Sequence, residues 1–331
     1  MRMTAPAGSP SHPFDGGEGK RILITGGAGF IGSHLARRCV AGGHEVHVLL
    51  RPPSDAARLA DMGASVNLHR LSQSDGQAVR ACLAKIRPTH IFHLAHSVGG
   101  RHETAIVDAA KTMCDLSDFL AFMAEVALLD EPPEIVLRTG SVVEYGAMRT
   151  ASAEDQREQP ETAYAAALTA GAHYAGMIAR HTPFPIVTAR LALVYGPEQG
   201  GNFLVPSLVS ACVEGRPFIV ERPLDQRDFV HVFDVVDALC RLATAPVPGA
   251  DIFNIGSGDT IAVGDLVDRI AALAGADPAR ISRRPQGEAT IYRPCVDRIR
   301  ERTGWAPRIG IEEGLAALVA EARQTGEAVA A

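Results

Sequence analysis

The sequence predicts an α/β protein: a doubly wound parallel sheet with a smaller C-terminal domain. Three observations carry that expectation. Short apolar runs alternate with amphipathic stretches over the first 195 or so residues, the pattern of a parallel sheet covered on both faces. A glycine-rich turn, Thr25 to Gly32, joins the first apolar run to the first amphipathic stretch. Beyond residue 195 the rhythm changes, with Pro197, Gly200 and Gly201 opening a loop. The length of 331 residues fits two domains at about 150 residues each.

In order, the runs 21–25, 45–50, 66–68, 91–94, 135–138 and 186–193 read as strands, because each is short, apolar and bounded by turn residues. Helical stretches fall at 30–42, 76–86, 104–128 and 162–181. After the loop come a helix at 203–214, a strand at 227–232 running into a helix at 234–245, a strand at 252–255 and helices at 263–274 and 311–323.

Composition narrows the class. With 47% hydrophobic and 21% charged residues the chain can build a sizeable core, which excludes a disordered chain, a coiled coil and a small disulfide scaffold. A net charge of −6 leaves no electrostatic footprint for nucleic acid. No run approaches the roughly 18 apolar residues of a membrane span. Residues 1–19 lack an apolar signal core and read as a loose polar tail. The six cysteines contain no pair within four residues, so no zinc ribbon or CxxC is present and a reducing cytoplasm is expected.

In Thr25-Gly26-Gly27-Ala28-Gly29-Phe30-Ile31-Gly32, Gly26 permits a tight turn and Gly29 lets backbone approach a pyrophosphate. Gly32 lets the helix pack closely on the sheet. A pyrophosphate would sit on the helix N-terminus, where free N–H groups and the dipole attract it. Residues 20–195 with about 227–258 are therefore read as a dinucleotide-binding domain, and 196–226 with about 259–331 as a substrate-binding domain.

The wording TGGAGFIG resembles the extended short-chain dehydrogenase/reductase family, which has a Rossmann-type fold and includes nucleotide-sugar epimerases, dehydratases and 4-keto reductases. Supporting segments are His93-Leu94-Ala95, Thr139-Gly140-Ser141 leading to Glu144-Tyr145-Gly146, Tyr164, Arg190-Leu191, and Val194-Tyr195-Gly196-Pro197. Asn202, the run from Arg227 to Val232, Asn254-Ile255-Gly256 and Gly304-Trp305 extend it. The resemblance implies cofactor contacts from Phe30, Ile31, Leu94 and Ala95 as well as the glycines.

An acid closing the second strand would bind the adenosine ribose and favour NAD. Here Leu50 is followed by Arg51, whose guanidinium can pair with a 2′-phosphate, so NADP is favoured over NAD. A solvated loop arginine is the bland alternative. Where the family often has an acid near the end of the third strand, this chain has Arg70 or Leu71, with Asp75 further on.

The resemblance also implies a catalytic Ser or Thr, a Tyr, and a Lys four residues after the Tyr. Ser141 and Tyr164 match, but the lysine position holds Leu168. That lysine normally binds the nicotinamide ribose and lowers the tyrosine pKa. Without it, about one phenol in a thousand is ionised at neutral pH, which handicaps a base more than an acid. Lysine occurs only at Lys20, Lys85 and Lys111, and Lys111 is the substitute cation considered.

Glu144 is a candidate sugar contact. Asn202, Arg227 and His231 lie where the family contacts a nucleotide diphosphate, and Arg227 and Arg284 are the basic residues expected on it, with Arg293 a further candidate. Asp228 is expected to fix Arg227 or cap a turn. His93 and His96 follow a buried strand and read as core or cofactor-lining side chains, and no metal is expected.

The first expectation is an NADPH-dependent 4-keto-sugar reductase acting on a nucleotide-diphosphate sugar, as a cytoplasmic homodimer. The alternatives are an epimerase or dehydratase with tightly held NAD, and a nucleotide-binding protein that lost turnover with Leu168.

Overall fold

Apolar, β-branched runs become strands buried on both faces, and the polar stretches between them become helices that cover those faces. The computed structural model describes residues 14–15, 19–96, 106–147 and 150–330. β1 (Arg21–Thr25) leads through the glycine turn into α1 (Phe30–Ala41), and β2 (Glu45–Leu50) follows. A 3₁₀ segment, Ala57–Ser65, precedes β3 (Val66–Arg70). α2 (Gly76–Ile86) starts where the Asp75 carboxylate accepts from the Ala78 N–H at 3.1 Å. Next come β4 (His90–His93), α3 (Ile106–Val126), β5 (Ile135–Ser141), α4 (Ala163–Ala179) and β6 (Ile186–Leu191).

The second half has shorter elements. They are β7 (Leu193–Tyr195), α5 (Leu204–Val213), β8 (Phe218–Val220), β9 (Gln226–Arg227), β10 (Phe229–His231) and α6 (Val232–Leu242). β11 (Ala250–Ile255) returns to the main sheet. β12 (Ile261–Ala262), α7 (Val263–Ala274), β13 (Ile281–Arg283), β14 (Ile291–Tyr292), α8 (Asp297–Thr303) and α9 (Ile311–Ala330) complete the order.

The main sheet has seven strands in the order β11-β6-β5-β4-β1-β2-β3, paired in parallel throughout. The chain builds outward from β1 to β3, then restarts at β4 on the other side of β1. That reversal opens a crevice at the carboxyl ends of β1 and β4, the natural ligand position of such a sheet. Leu35, Val48, Leu137 and Leu239 belong to the apolar layer on the α1 and α6 face. Leu83, Phe119, Phe122 and Ile186 belong to the layer under α2, α3 and α4. A third cluster, including Leu208, Leu266 and Leu315, is formed by α5, α7 and α9. Among the described residues no helix is long and apolar enough to cross a membrane.

The expected strand 186–193 is two strands. The Ala192 N–H still bonds the Ile255 carbonyl, but the Leu193 N–H turns to Asp228, so the chain leaves the sheet to pair with β10. The expected strand 227–232 also breaks, at the buried Asp228, and its last residue already opens α6. The last helix runs to Ala330 instead of residue 323. Most of the expected polar tail lies outside the described residues. Phe14 within it is buried, edge-on to His44 at 4.7 Å and Phe92 at 6.3 Å.

Candidate active site

Gly26 has φ +71°, and a Cβ there would come within 2.8 Å of the Leu94 and Ala95 backbone at the end of β4. A Cβ on Gly32 would strike the Gly26 carbonyl oxygen, so the first turn of α1 can lie against the loop only as glycine. α1 has no side-chain cap and no acid in its first turn. Its leading N–H groups, those of Phe30, Ile31 and Gly32, and the positive end of its dipole therefore remain available to an anion. A groove of ≈ 290 Å³ begins here, lined by Gly26, Gly29, Arg51, Leu94, Ala95 and His96 among others. These residues fit a dinucleotide.

Sequence reasoning missed three carboxylates in the groove wall. Asp55 follows the Pro52–Pro53 pair, and Asp115 and Asp118 stand on α3. Burial raises the Asp118 pKa, with the Arg51 charge opposing it. His93 Nε2 donates to Gln73 Oε1 at 3.0 Å, and His96 Nε2 lies 2.9 Å from the Thr139 carbonyl. Burial, reinforced by the charge of Arg138, lowers the His96 pKa to about 3, so this ring is neutral.

Ser141 ends β5 and caps the 3₁₀ turn Val142–Tyr145, its Oγ accepting from the Val143 N–H at 3.4 Å. Tyr164 lies in the first turn of α4, which Thr162 caps by accepting from the Ala165 N–H at 3.1 Å. Leu168 follows one turn later on the same face. Tyr164 and Leu168 line a small cavity of ≈ 10 Å³ together with His96, Asp115, Arg138 and Gly171. His96 and Asp115 line the groove as well, so the cavity adjoins the groove that starts at the glycine turn. Lys111 is exposed and does not line either space.

Glu144 is placed differently from the expected sugar contact. It is wholly buried, Oε1 accepting from the Ser141 N–H at 2.8 Å and Oε2 from Arg190 Nε at 2.9 Å. Arg190 also donates to Glu158 at 2.6 Å and stacks over Tyr145 at 4.5 Å. The Tyr145 hydroxyl in turn donates to Asn254 Oδ1 at 2.8 Å. With both oxygens engaged inside the protein, Glu144 holds the end of β5 in position.

The expected diphosphate ligands sit on different elements of the second half. Asn202 is exposed in the loop before α5, and Arg284 is exposed just past β13. Arg227 stacks on Tyr292 at 4.7 Å and donates to Asp225 at 2.7 Å and to Thr290 through both terminal nitrogens. Burial lowers the Arg227 pKa, against the pull of Asp225. Arg293 donates to the Gly258 carbonyl at 2.8 Å. Asp228 caps a turn, accepting from both the N–H and hydroxyl of Ser257 and from the Gly258 N–H. His231 is buried at the start of α6, where Nδ1 accepts from the Phe233 N–H.

Residues 22–256 match the NAD dependent epimerase/dehydratase family. The chain is 32% identical to the UDP-glucose 4-epimerase of Mycolicibacterium smegmatis, over 90% of this chain and 97% of that protein. It is 27% identical to a probable UDP-glucuronate 4-epimerase of Rhizobium meliloti, over 90% and 96%. Among solved structures, MoeE5 in complex with UDP-glucose and NAD matches with a TM-score of 0.81 at 27% identity, covering 92% of this chain and 99% of that one. The dTDP-glucose 4,6-dehydratase DesIV from Streptomyces venezuelae, with NAD and TYD bound, matches at 0.83 and 21% identity, over 92% and 98%, which bears on the fold alone. The glycine turn, the serine at the end of β5 and the tyrosine opening α4 thus sit in a Rossmann-type sheet with a smaller C-terminal domain, and the chain belongs to the NAD-dependent epimerase/dehydratase family of extended short-chain dehydrogenases/reductases.

Proposed function

We propose that this chain is an NAD-dependent nucleotide-sugar epimerase acting at C4 of a nucleoside-diphosphate hexose. The observation that carries the proposal is that Tyr164 lines a cavity sharing His96 with the groove from the glycine turn. The phenol then stands at the far end of a dinucleotide held by Gly26, Gly29, Phe30, Ile31, Gly32, Arg51, Leu94 and Ala95. Bound NAD would supply the hydride acceptor for C4. Tyr164 takes the proton of the 4-hydroxyl and returns it, and the Ser141 hydroxyl orients that oxygen.

NAD is favoured over NADP on charge. Arg51 shares its groove with Asp55, Asp115 and Asp118, so an added 2′-phosphate meets more negative than positive charge. Asn202, Arg227 and Arg284 are assigned to the diphosphate, with Arg227 exchanging part of its Asp225 contact for phosphate. The unpaired state of all six cysteines supports a cytoplasmic site of action. A homodimer through α3 and α4 would cover Met113, Tyr174 and Met177, large side chains left exposed on those helices.

The test is incubation of the purified protein with UDP-glucose or UDP-galactose and NAD. Interconversion without net NADH formation is expected, and it is lost in Tyr164→Phe. Leu168 favours a second reading, a 4-keto reductase, because proton donation needs only the neutral phenol. Steady NADPH oxidation with a 4-keto-6-deoxy sugar nucleotide, and no epimerisation, would establish that reading instead. Cofactor binding with no turnover on either panel would establish a protein that has lost catalysis.

A further inference from the structure

The family's lysine is absent from α4, yet a cation reaches the same cavity from the neighbouring strand. Arg138 lies on β5, three residues before Ser141, and is 1% exposed. Its Nη2 donates to the Leu168 carbonyl at 3.3 Å, and its guanidinium carbon sits 5.2 Å from the centre of the Phe119 ring. A Cβ on Gly171 would come within 2.7 Å of Nη2, so α4 makes room for the guanidinium by carrying glycine there. Nε and Nη1 are buried without a hydrogen-bond partner. Leaving such donors unmade inside a protein is costly.

We propose that Arg138 replaces the missing lysine as the positive charge at Tyr164, while Leu168 fills the space the lysine stem would take. The proposal rests on Tyr164 being the acid–base group. Arg138 and Tyr164 line one cavity of ≈ 10 Å³, room for about one water. Burial lowers the Arg138 pKa to about 10, which leaves it charged at neutral pH.

Glu144, Arg190 and Tyr164 are the charged and titratable groups that act on Arg138, and of these Tyr164 shares its cavity. His93, ending β4, and His96, just beyond it, are kept neutral by burial and by Arg138 itself. Glu144 is taken by Arg190 on β6. Asp115, on α3, is the other acid in the cavity lining. A cation within about 4–6 Å lowers a neighbouring acid by about one to three pH units, so the shared cavity makes Arg138 a positioning residue acting through the phenol.

The experiment compares ultraviolet phenolate titrations and kcat/KM–pH profiles of the full chain with NAD present. The difference between wild type and Tyr164→Phe isolates the Tyr164 titration. Arg138→Met is expected to raise its midpoint, and the acidic limb of the profile, by about one unit or more, with about tenfold loss of kcat/KM at neutral pH per unit. Arg138→Lys is expected to keep both within about half a unit of wild type. Arg138→Met/Leu168→Lys, which returns the cation to α4, is expected to bring the limb back. An unmoved limb in folded Arg138→Met overturns the proposal. If that variant does not fold, a rise of more than about one unit in Arg138→Lys does so. Asp115→Asn serves as the control, and a shift there equal to that of Arg138→Met also counts against Arg138. Activity surviving in Tyr164→Phe would refute the acid–base assignment itself, whereas its loss with Arg138 variants unshifted refutes only the role of Arg138.

Discussion

Replacing Glu144 with Gln tests whether the end of β5 is held by a buried ion pair. The side chain is 0% exposed, and its two oxygens serve different partners, the Ser141 N–H at 2.8 Å and Arg190 Nε at 2.9 Å. Glutamine keeps one acceptor for Ser141 but turns an amide donor toward a guanidinium that is itself wholly buried. Breaking a buried pair by removing one charge costs about 3–5 kcal/mol. At a urea m-value of about 3 kcal/mol/M this lowers the unfolding midpoint by about 1–1.7 M. Glu158, which also accepts from Arg190 at 2.6 Å, sets the lower end by retaining part of the compensation. Activity should fall mainly in kcat, because the side chain that anchors the Ser141 N–H loses the Arg190 contact that fixes it. Glu144→Gln/Arg190→Gln should be less destabilised than the sum of its parts, by more than about 1 kcal/mol. A midpoint unmoved within about 0.2 M, or strict additivity in the double variant, would refute the ion-pair account.

Gly26→Ala, which meets the Leu94 and Ala95 backbone and requires a positive φ, should abolish NAD binding in a fluorescence titration while the circular dichroism of the sheet persists. Leu168→Lys in the wild-type background should not raise kcat, and should lower the thermal midpoint, because it sets a second cation beside the buried Arg138; a gain in kcat would show that the chain lacks a cation. Burial lowers the His231 pKa from 6.5 to about 4, so the stability it contributes is complete above pH 6.5 and lost as pH falls through 4, by about 3 kcal/mol at 1.4 kcal/mol per unit. In His231→Asn, which keeps an acceptor for the Phe233 N–H, the urea midpoint should fall less between pH 6.5 and 4 than in wild type; equal slopes would count against this assignment.

The alternation of strand and helix was legible because each signal is local. Asp75 and Thr162 cap helices next to apolar periodic runs, and the glycine turn follows a buried strand. α2 and α7 have the boundaries expected from sequence. What local pattern does not carry is the pairing partner. The break at Ala192 depends on Leu193 bonding Asp228, thirty-five positions later in the chain. Glu144 read as a sugar ligand because a carboxylate near a site is ambiguous until its partner is known, and Arg190 is 46 residues away. A signal for Arg138 and Arg190 was present all the same. Each interrupts an apolar strand run, IVLRTGS and IVTARL, and a charge inside a buried strand is the informative exception to burial rules.

Those two arginines alter the weight given to Leu168. Taken alone, leucine at the lysine position leaves a neutral phenol, which serves reduction better than oxidation. With two buried guanidiniums, Arg190 is committed to Glu144 and Glu158 and stacks on Tyr145, while Arg138 faces the cavity of Tyr164. The field of Arg190 is largely cancelled by its two carboxylates, although its Nη1 is unbonded, whereas Arg138, with two unbonded nitrogens, acts on whatever lies nearest in a low-dielectric interior. The charge demanded by base chemistry is thus present, moved from the helix to the strand beneath the same tyrosine. The preference for reduction over oxidation then loses its physical ground, and the ionisation of Tyr164 becomes the quantity that separates an epimerase from a reductase in this chain.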